Sequence, residues 1–293
     1  MARAMTFQGL ATVVMAVAVS VAGAAQTFKS RVESVRLDAL VLDRGRPVVG
    51  LRADDFEIRD NGALQAVTLL GAGALPMDVI LLLDMSGSLS AERLGALRAA
   101  AGALLDALRP ADRAALATFS REIQRAQALT HDVVAVRRAL ERETPSGPTV
   151  LVDAMFAAIG MTEPGDRRCL LIVFSDGLDT ASWLQPDAVV RAAERSEVVI
   201  YAVTTSTARH APGLLRHVTD STGGQLLEVD SASLPTAFTR VLDEFRQRYV
   251  LSYTLSSAPA VGWHRLDVRV KHRDLTVRTR AGYRVVKPRP AAR

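Results

Sequence analysis

Three short stretches of the chain collect oxygen donors: Asp84, Ser86 and Ser88 in "DVILLLDMSGSLS", Thr149 in "TPSGPTVLVDAM", and Asp176 in "CLLIVFSDG". All five residues offer hard oxygens, and the set contains no histidine or cysteine. Such donors suit Mg2+, with Ca2+ or Mn2+ as near competitors. Mg2+ requires near-octahedral oxygen coordination at ~2.0–2.1 Å and keeps some of its waters. Two carboxylates and three hydroxyls cannot fill and neutralise that shell if the aspartates act partly through water. The ion then stays electrophilic, with a position open to a carboxylate from outside. Taken singly, each stretch has a plainer reading: Ser86, Ser88 and Ser90 as helix caps, Asp176-Gly177 as a turn, Thr149 as another cap. Brought to one edge together, they favour the metal. Asp179 either bounds the site or solvates a loop, and Asp153 either orients Thr149 or a metal-bound water or sits on a polar helix face.

A site drawn from three distant loops needs a scaffold that gathers them. From Asp78 to about Arg248, apolar runs ("VILLLD", "AALATFS", "CLLIVFSDG", "EVVIYAVTT", "GQLLEV") alternate with segments whose apolar residues recur every three or four positions ("AERLGALRAAAGALLDAL", "DVVAVRRALERE", "VLVDAMFAAIGM", "PDAVVRAAERS", "LPTAFTRVLDEFRQR"). This predicts an α/β fold, a doubly wound, mostly parallel sheet covered by helices on both faces. "EIQRAQALT" reads as a short antiparallel edge strand. In such sheets ligands collect at the carboxyl ends of strands, where Asp84 and Asp176 fall, and Thr149 starts the helix before the later strand.

The flanks have a strand texture. "VESVRLDALVLD" alternates, "DFEIRDNGALQAVTLL" is two strands around Asn61-Gly62, and "GAGALPM" reads as a linker. After the α/β region come "YVLSYTLSS", "HRLDVRVKH" and "LTVRTRAGYRVV". Each flank alone is small for a core, so the two are expected to pair as one β-sandwich-like domain with the α/β domain inserted between them. The expected division is 1–25, 26–77, 78–248 and 249–293.

Asp-x-Ser-x-Ser after an apolar strand, a loop threonine with Asp153 four residues on, and Ser-Asp-Gly ending a later strand resemble the metal-ion-dependent adhesion site of von Willebrand factor type A domains. The likeness spans roughly Asp78 to Arg248, with the three parts in the family's order. The flanks, "VVGLRADDFEIRDNGALQAV" and "RYVLSYTLSS…VRTRAGYRV", resemble the exported acidobacterial von Willebrand factor A-related group. The resemblance implies Ser86, Ser88 and Thr149 as direct metal ligands, with Asp84 and Asp176 binding through water or directly. It also implies a non-enzymatic, adhesion-type module whose partner is a protein offering an acidic side chain. Pro148 departs from the family, which usually has a second glycine there; proline restricts Gly147 before it.

Other features narrow the classes. With 49% hydrophobic and 23% charged residues the chain is a folded globular protein. Its formal charge of +5 comes almost wholly from arginines spread evenly, with no basic run, so no nucleic-acid partner is expected. The one cysteine, Cys169, permits no intrachain disulfide and lies in an apolar run as a small buried hydrophobe. At the N-terminus, Arg3, the apolar stretch Leu10 to Val21 and "AGAAQ" read as a signal peptide ending near Ala25. The mature chain is then expected to be exported (periplasm, cell surface or medium), with no membrane span. The rival readings are a Mg2+-dependent hydrolase or phosphoryl-transfer enzyme, and an envelope-assembly component with incidental metal. No P-loop and no Gly-x-Ser-x-Gly elbow is present, and the histidines (His131, His210, His217, His264, His272) lie away from the site motifs. His131 reads as a loop or cap residue, and His210 and His217 as flanking a helix.

Overall fold

The computed structural model describes residues 34–73, 75–163, 165–205, 213–255, 260–271 and 274–286. The proposed signal segment, His210 and His272 lie outside them. The N-terminal flank supplies β1 (Ser34–Asp43), β2 (Arg46–Pro47), β3 (Phe56–Asp60), β4 (Ala63–Gln65) and β5 (Val67–Ala72). The α/β region follows as β6 (Met77–Asp84), α1 (Ala91–Asp106), β7 (Arg113–Phe119), β8 (Ile123–Thr130), α2 (Val133–Arg142), α3 (Leu151–Ile159) and β9 (Arg168–Phe174). It continues through α4 (Pro186–Arg195), β10 (Val199–Thr204), α5 (Gly213–Thr222), β11 (Leu226–Glu228) and α6 (Leu234–Arg246). The C-terminal flank adds β12 (Tyr249–Thr254), β13 (Gly262–Val270), β14 (Thr276–Arg278) and β15 (Gly282–Val285).

The central sheet runs β11-β10-β9-β6-β7-β8, parallel except for β8, which is the antiparallel edge strand expected from "EIQRAQALT". Every residue of β6 is buried, so its side chains alternate into two cores rather than between core and water. Val79, Leu81 and Leu83 pack with α1, α2 and α6, while Ile80 and Leu82 pack with α3, α4 and α5. This is the doubly wound arrangement predicted. The helix expected between His210 and His217 runs further than that: α5 carries His217 inside it rather than at its edge.

The flanks interleave. β12 lies between β1 and β5 in the sheet β14-β1-β12-β5, with β2 beside β1, and a second sheet runs β15-β13-β3-β4. Leu37, Phe56, Ile58, Tyr249, Leu251 and Leu266 share one core between these sheets. Asn61 and Gly62 turn β3 into β4 with positive φ at both, as a two-residue hairpin demands. Two expectations need correction. "GAGALPM" is not all linker, because Gly71 and Ala72 pair with Val250 and Tyr249, and Met77 already belongs to β6. "LTVRTRAGYRVV" is not one strand either: β14 pairs with β1 and β15 with β13, in opposite sheets.

Candidate metal centre

Strand order fixes where a ligand can enter. From β6 the chain leads to β7 on one side, while β9 leads to β10 on the other. The adjacent pair β6 and β9 therefore forms the topological switch point, where crossover loops diverge and leave a crevice at the carboxyl ends. Leu83 pairs with Phe174 there, which puts Asp84 and the Ser175-Asp176 turn side by side. Asp84, Ser86, Ser88, Arg93 and Asp176 line a cleft of about 20 Å³ between them. That is room for one water-sized body, about 10–15 Å³ being the minimum for a water.

Asp84 is 4% exposed. Its Oδ1 accepts the Ser86 N–H at 2.9 Å, and its Oδ2 accepts the Ser175 hydroxyl at 2.8 Å. The Ser86 and Ser88 hydroxyls lie 3.1 Å apart, and Ser88 Oγ reaches Asp176 Oδ2 at 3.4 Å. Among the described residues neither aspartate has an ion pair. Burial pushes the Asp84 carboxyl above its ordinary range; the bonds from Ser86 and Ser175 oppose this without cancelling it, and the Asp176 charge adds to it. A buried carboxylate held by neutral donors and facing hydroxyls is a set of hard oxygen donors, the chemistry that suits a divalent cation.

The third loop reaches the same edge through its backbone. Gly87 N–H donates to the Gly147 carbonyl at 2.9 Å, and Ser146 N–H to the Met85 carbonyl at 2.8 Å. Gly147 has φ +76°, a left-handed turn that glycine adopts freely, and the chain enters Pro148 from it. Thr149 is buried; its N–H donates to Thr180 Oγ1 at 2.9 Å, and its carbonyl accepts the N–H groups of Thr180 (2.9 Å) and Ala181 (3.1 Å). It is thereby joined to the loop that follows Asp176, but it does not line the cleft itself.

The capping alternatives separate cleanly. Ser90 is the N-cap of α1, accepting the Arg93 N–H at 3.3 Å, while Ser86 and Ser88 face each other instead. Thr149 is no cap: α3 starts at Leu151 behind Val150, and Asp179 accepts the Val152 N–H at 2.8 Å. Asp176 does make a turn, accepting the Leu178 N–H at 3.0 Å with one oxygen. Asp153 accepts the N–H groups of Trp183 (3.0 Å) and Leu184 (2.9 Å), a tie to the next loop that neither expected role included.

Sequence reasoning missed Ser175 and Arg93. Ser175 sits inside the quoted Ser-Asp-Gly, but its link to Asp84 crosses from β9 to β6 and is invisible along the chain. No histidine, cysteine or lysine is among the residues lining the cleft. His131 meets the Asp112 carbonyl at 2.9 Å, and His264 meets Asp60 at 2.9 Å within the β-sandwich. Burial pushes the Cys169 thiol up to about 12, which keeps it protonated at neutral pH.

The von Willebrand factor type A domain family model matches residues 79–178, from β6 to the Asp176 turn. A solved von Willebrand factor type A structure from Catenulispora acidiphila is similar, with a TM-score of 0.54 and 15% identity over 78% of this chain and 73% of its own. Proximal thread matrix protein 1 from the mussel byssus, solved with a zinc-occupied MIDAS motif, is similar with a TM-score of 0.56 and 16% identity. That alignment covers 66% of this chain and 51% of the mussel chain. Such identities speak for the fold. A comparison with curated proteins finds no match. The sheet order and the cleft at its switch point agree with the family match, so residues 79–178 of this chain belong to a von Willebrand factor type A domain.

Proposed function

We propose that the chain is an exported, non-enzymatic protein-binding module that works through a divalent cation, Mg2+ before Ca2+ or Mn2+. Ser86 and Ser88, which line the cleft, and Thr149, which stands outside its lining, would hold the ion directly, with Asp84 and Asp176 bound directly or through water. The cation supplies a positive centre for a carboxylate offered by a protein partner. The observation that carries this reading is the buried Asp84 carboxylate, which has no ion pair among the described residues and faces the hydroxyls of an ion-sized cleft. Ser86 N–H and the Ser175 hydroxyl orient that carboxylate before any ion arrives. A divalent ion in the mussel protein's motif supports the same class of occupant here. Export rests on the Arg3, apolar and small-residue pattern of 1–25; among the described residues no helix is long and apolar enough to cross a membrane. The division 26–77, 78–248 and 249–293 is part of the same proposal.

Titration calorimetry with Mg2+ tests it. The whole chain should bind the ion, and Asp84→Ala and Ser86→Ala should not, while circular dichroism shows both variants folded. Unchanged Mg2+ affinity in folded variants overturns the assignment.

A further inference from the structure

Trp183 is 92% exposed, yet its backbone is held firmly. Asp153, in the first turn of α3, accepts the N–H groups of both Trp183 and Leu184, and Asp179 accepts those of Val152 and Ser182. The loop is stitched to the helix, and a large apolar ring is left in water. Such a ring costs little entropy to immobilise further, which is what a binding anchor needs.

Trp183 lines a groove of about 530 Å³ with Arg121, Ile123, Pro148 and Val150. Ile123 is itself exposed. The groove contains two charged groups, and they differ in availability. Each Asp153 oxygen accepts a backbone N–H and the carboxylate keeps its charge, whereas Arg121 has no ion pair among the described residues. Arg121 is therefore the charged group there whose side-chain polar atoms have no bound partner among the described residues. Arg93, lining the same cleft as Asp84, also has no ion pair among the described residues.

One loop separates groove from cleft. The Gly147 carbonyl accepts the Gly87 N–H of the cation loop, and a Cβ at Gly147 would stand 3.6 Å from the Arg121 Cβ. Pro148, the departure from the family pattern, is the groove residue next in line. A proline there stiffens the partition.

We infer that this groove is a second subsite for the same partner: an extended acidic segment whose carboxylate reaches the cation edge lays an apolar side chain against Trp183, with a further acid toward Arg121. This rests on the metal-dependent reading above, and it adds the partner's chemistry: acid, then apolar side chain, on one strand of protein.

The test is to pan a random peptide display library against the whole chain in Mg2+, in chelator, and against Trp183→Ala. Enriched peptides should pair an acidic with an aromatic or aliphatic residue. A synthetic peptide of that consensus should blue-shift the emission of a Trp263→Phe protein, in which Trp183 is the remaining tryptophan. Trp183→Ala should bind it about 30-fold more weakly while keeping its Mg2+ affinity by calorimetry. Arg121→Gln should cost about 5-fold, as a rim charge does. If Trp183→Ala keeps wild-type peptide affinity, or the library yields nothing enriched on wild type over that variant, the second subsite is refuted while the Mg2+ result stands on its own. If binding depends on Trp183 but survives chelator and Asp84→Ala, the metal reading falls and the two-subsite proposal falls with it.

Discussion

The two ends of β6 each bury an aspartate, Asp78 at 3% exposure and Asp84 at 4%. Their surroundings differ. Asp78 receives Arg113 through two bonds, at 2.9 and 2.6 Å, and Arg167 through a third at 2.6 Å. Burial there pushes the carboxyl up, but the two guanidiniums outweigh it and hold Asp78 below the ordinary carboxylate range. At Asp84 burial prevails, because its donors are a hydroxyl and a backbone N–H and its nearest charged influence is another acid. Same strand, same residue type and similar solvent exposure give opposite shifts, the Asp84 carboxyl lying the deeper of the two. What differs is whether the protein supplies a positive partner. It does so at the end away from the cleft, and omits it at the end where crossover loops open a crevice.

The largest expected effect breaks the comparison at its satisfied end. Asp78→Asn should lower unfolding free energy by about 3 kcal/mol in urea, since it removes the buried charge that two arginines share, leaving Arg113 with Glu163 and Arg167 with the Met77 and Ala111 carbonyls. A loss below about 0.5 kcal/mol would mean that solvent replaces the carboxylate freely. Next is the cation. Mg2+ at a hundredfold excess over its dissociation constant should stabilise the wild type by about 2.7 kcal/mol and Asp84→Asn not at all, read as a shift in melting temperature. In chelator the sign at this end should reverse. Asp84→Asn keeps an acceptor for Ser86 and a partner for Ser175 but removes the buried charge, so it should be more stable than wild type by about 1 kcal/mol.

The pH dependence spreads that last effect along an axis. The Asp78 contribution is present above the unfolded carboxylate value of about 3.9 and is lost as pH falls through its lower native value. Asp84 behaves oppositely: its native value is raised, so its cost is absent in acid and grows as pH rises from about 3.9 to that value. Urea midpoints in chelator should therefore show wild type falling relative to Asp84→Asn as pH rises above about 4, then levelling. A flat difference would show that Asp84 does not carry an uncompensated charge.

Much of the scaffold was legible because apolar continuity is a strong signal. β6 and β9 are unbroken runs bounded by acid and turn residues, and they had to be buried on both faces. Asn61-Gly62 announced its hairpin through backbone conformation alone. The extent of α5 escaped because "GLLRHVTDST" mixes β-branched and turn-favouring residues; its helix is secured by packing of Leu215 and Val218 in the core rather than by propensity. Gly71 and Ala72 looked like linker because the strand that fixes them, β12, lies far along the chain. For the site, residue types named the candidates Asp84, Ser86, Ser88, Thr149 and Asp176, but not their roles. Whether a serine caps a helix, as Ser90 does, or bonds across strands, as Ser175 does, depends on neighbours the sequence does not list in order.

The placement of β12 between β1 and β5 sets an order of assembly. Ser34 aligns with Thr254, so strands made at opposite ends of the polypeptide complete one another. The slot stays vacant until the whole intervening region has been synthesised. Closing it from a disordered chain would carry the entropy of a very long loop, whereas a folded α/β unit shortens the free segment to little more than its two tethers. The inserted unit should therefore form early and the sandwich late, so hydrogen exchange during refolding should protect β6 and β9 before β12. Until β12 arrives, β1 and β5 keep unsatisfied edges, which are a liability for aggregation.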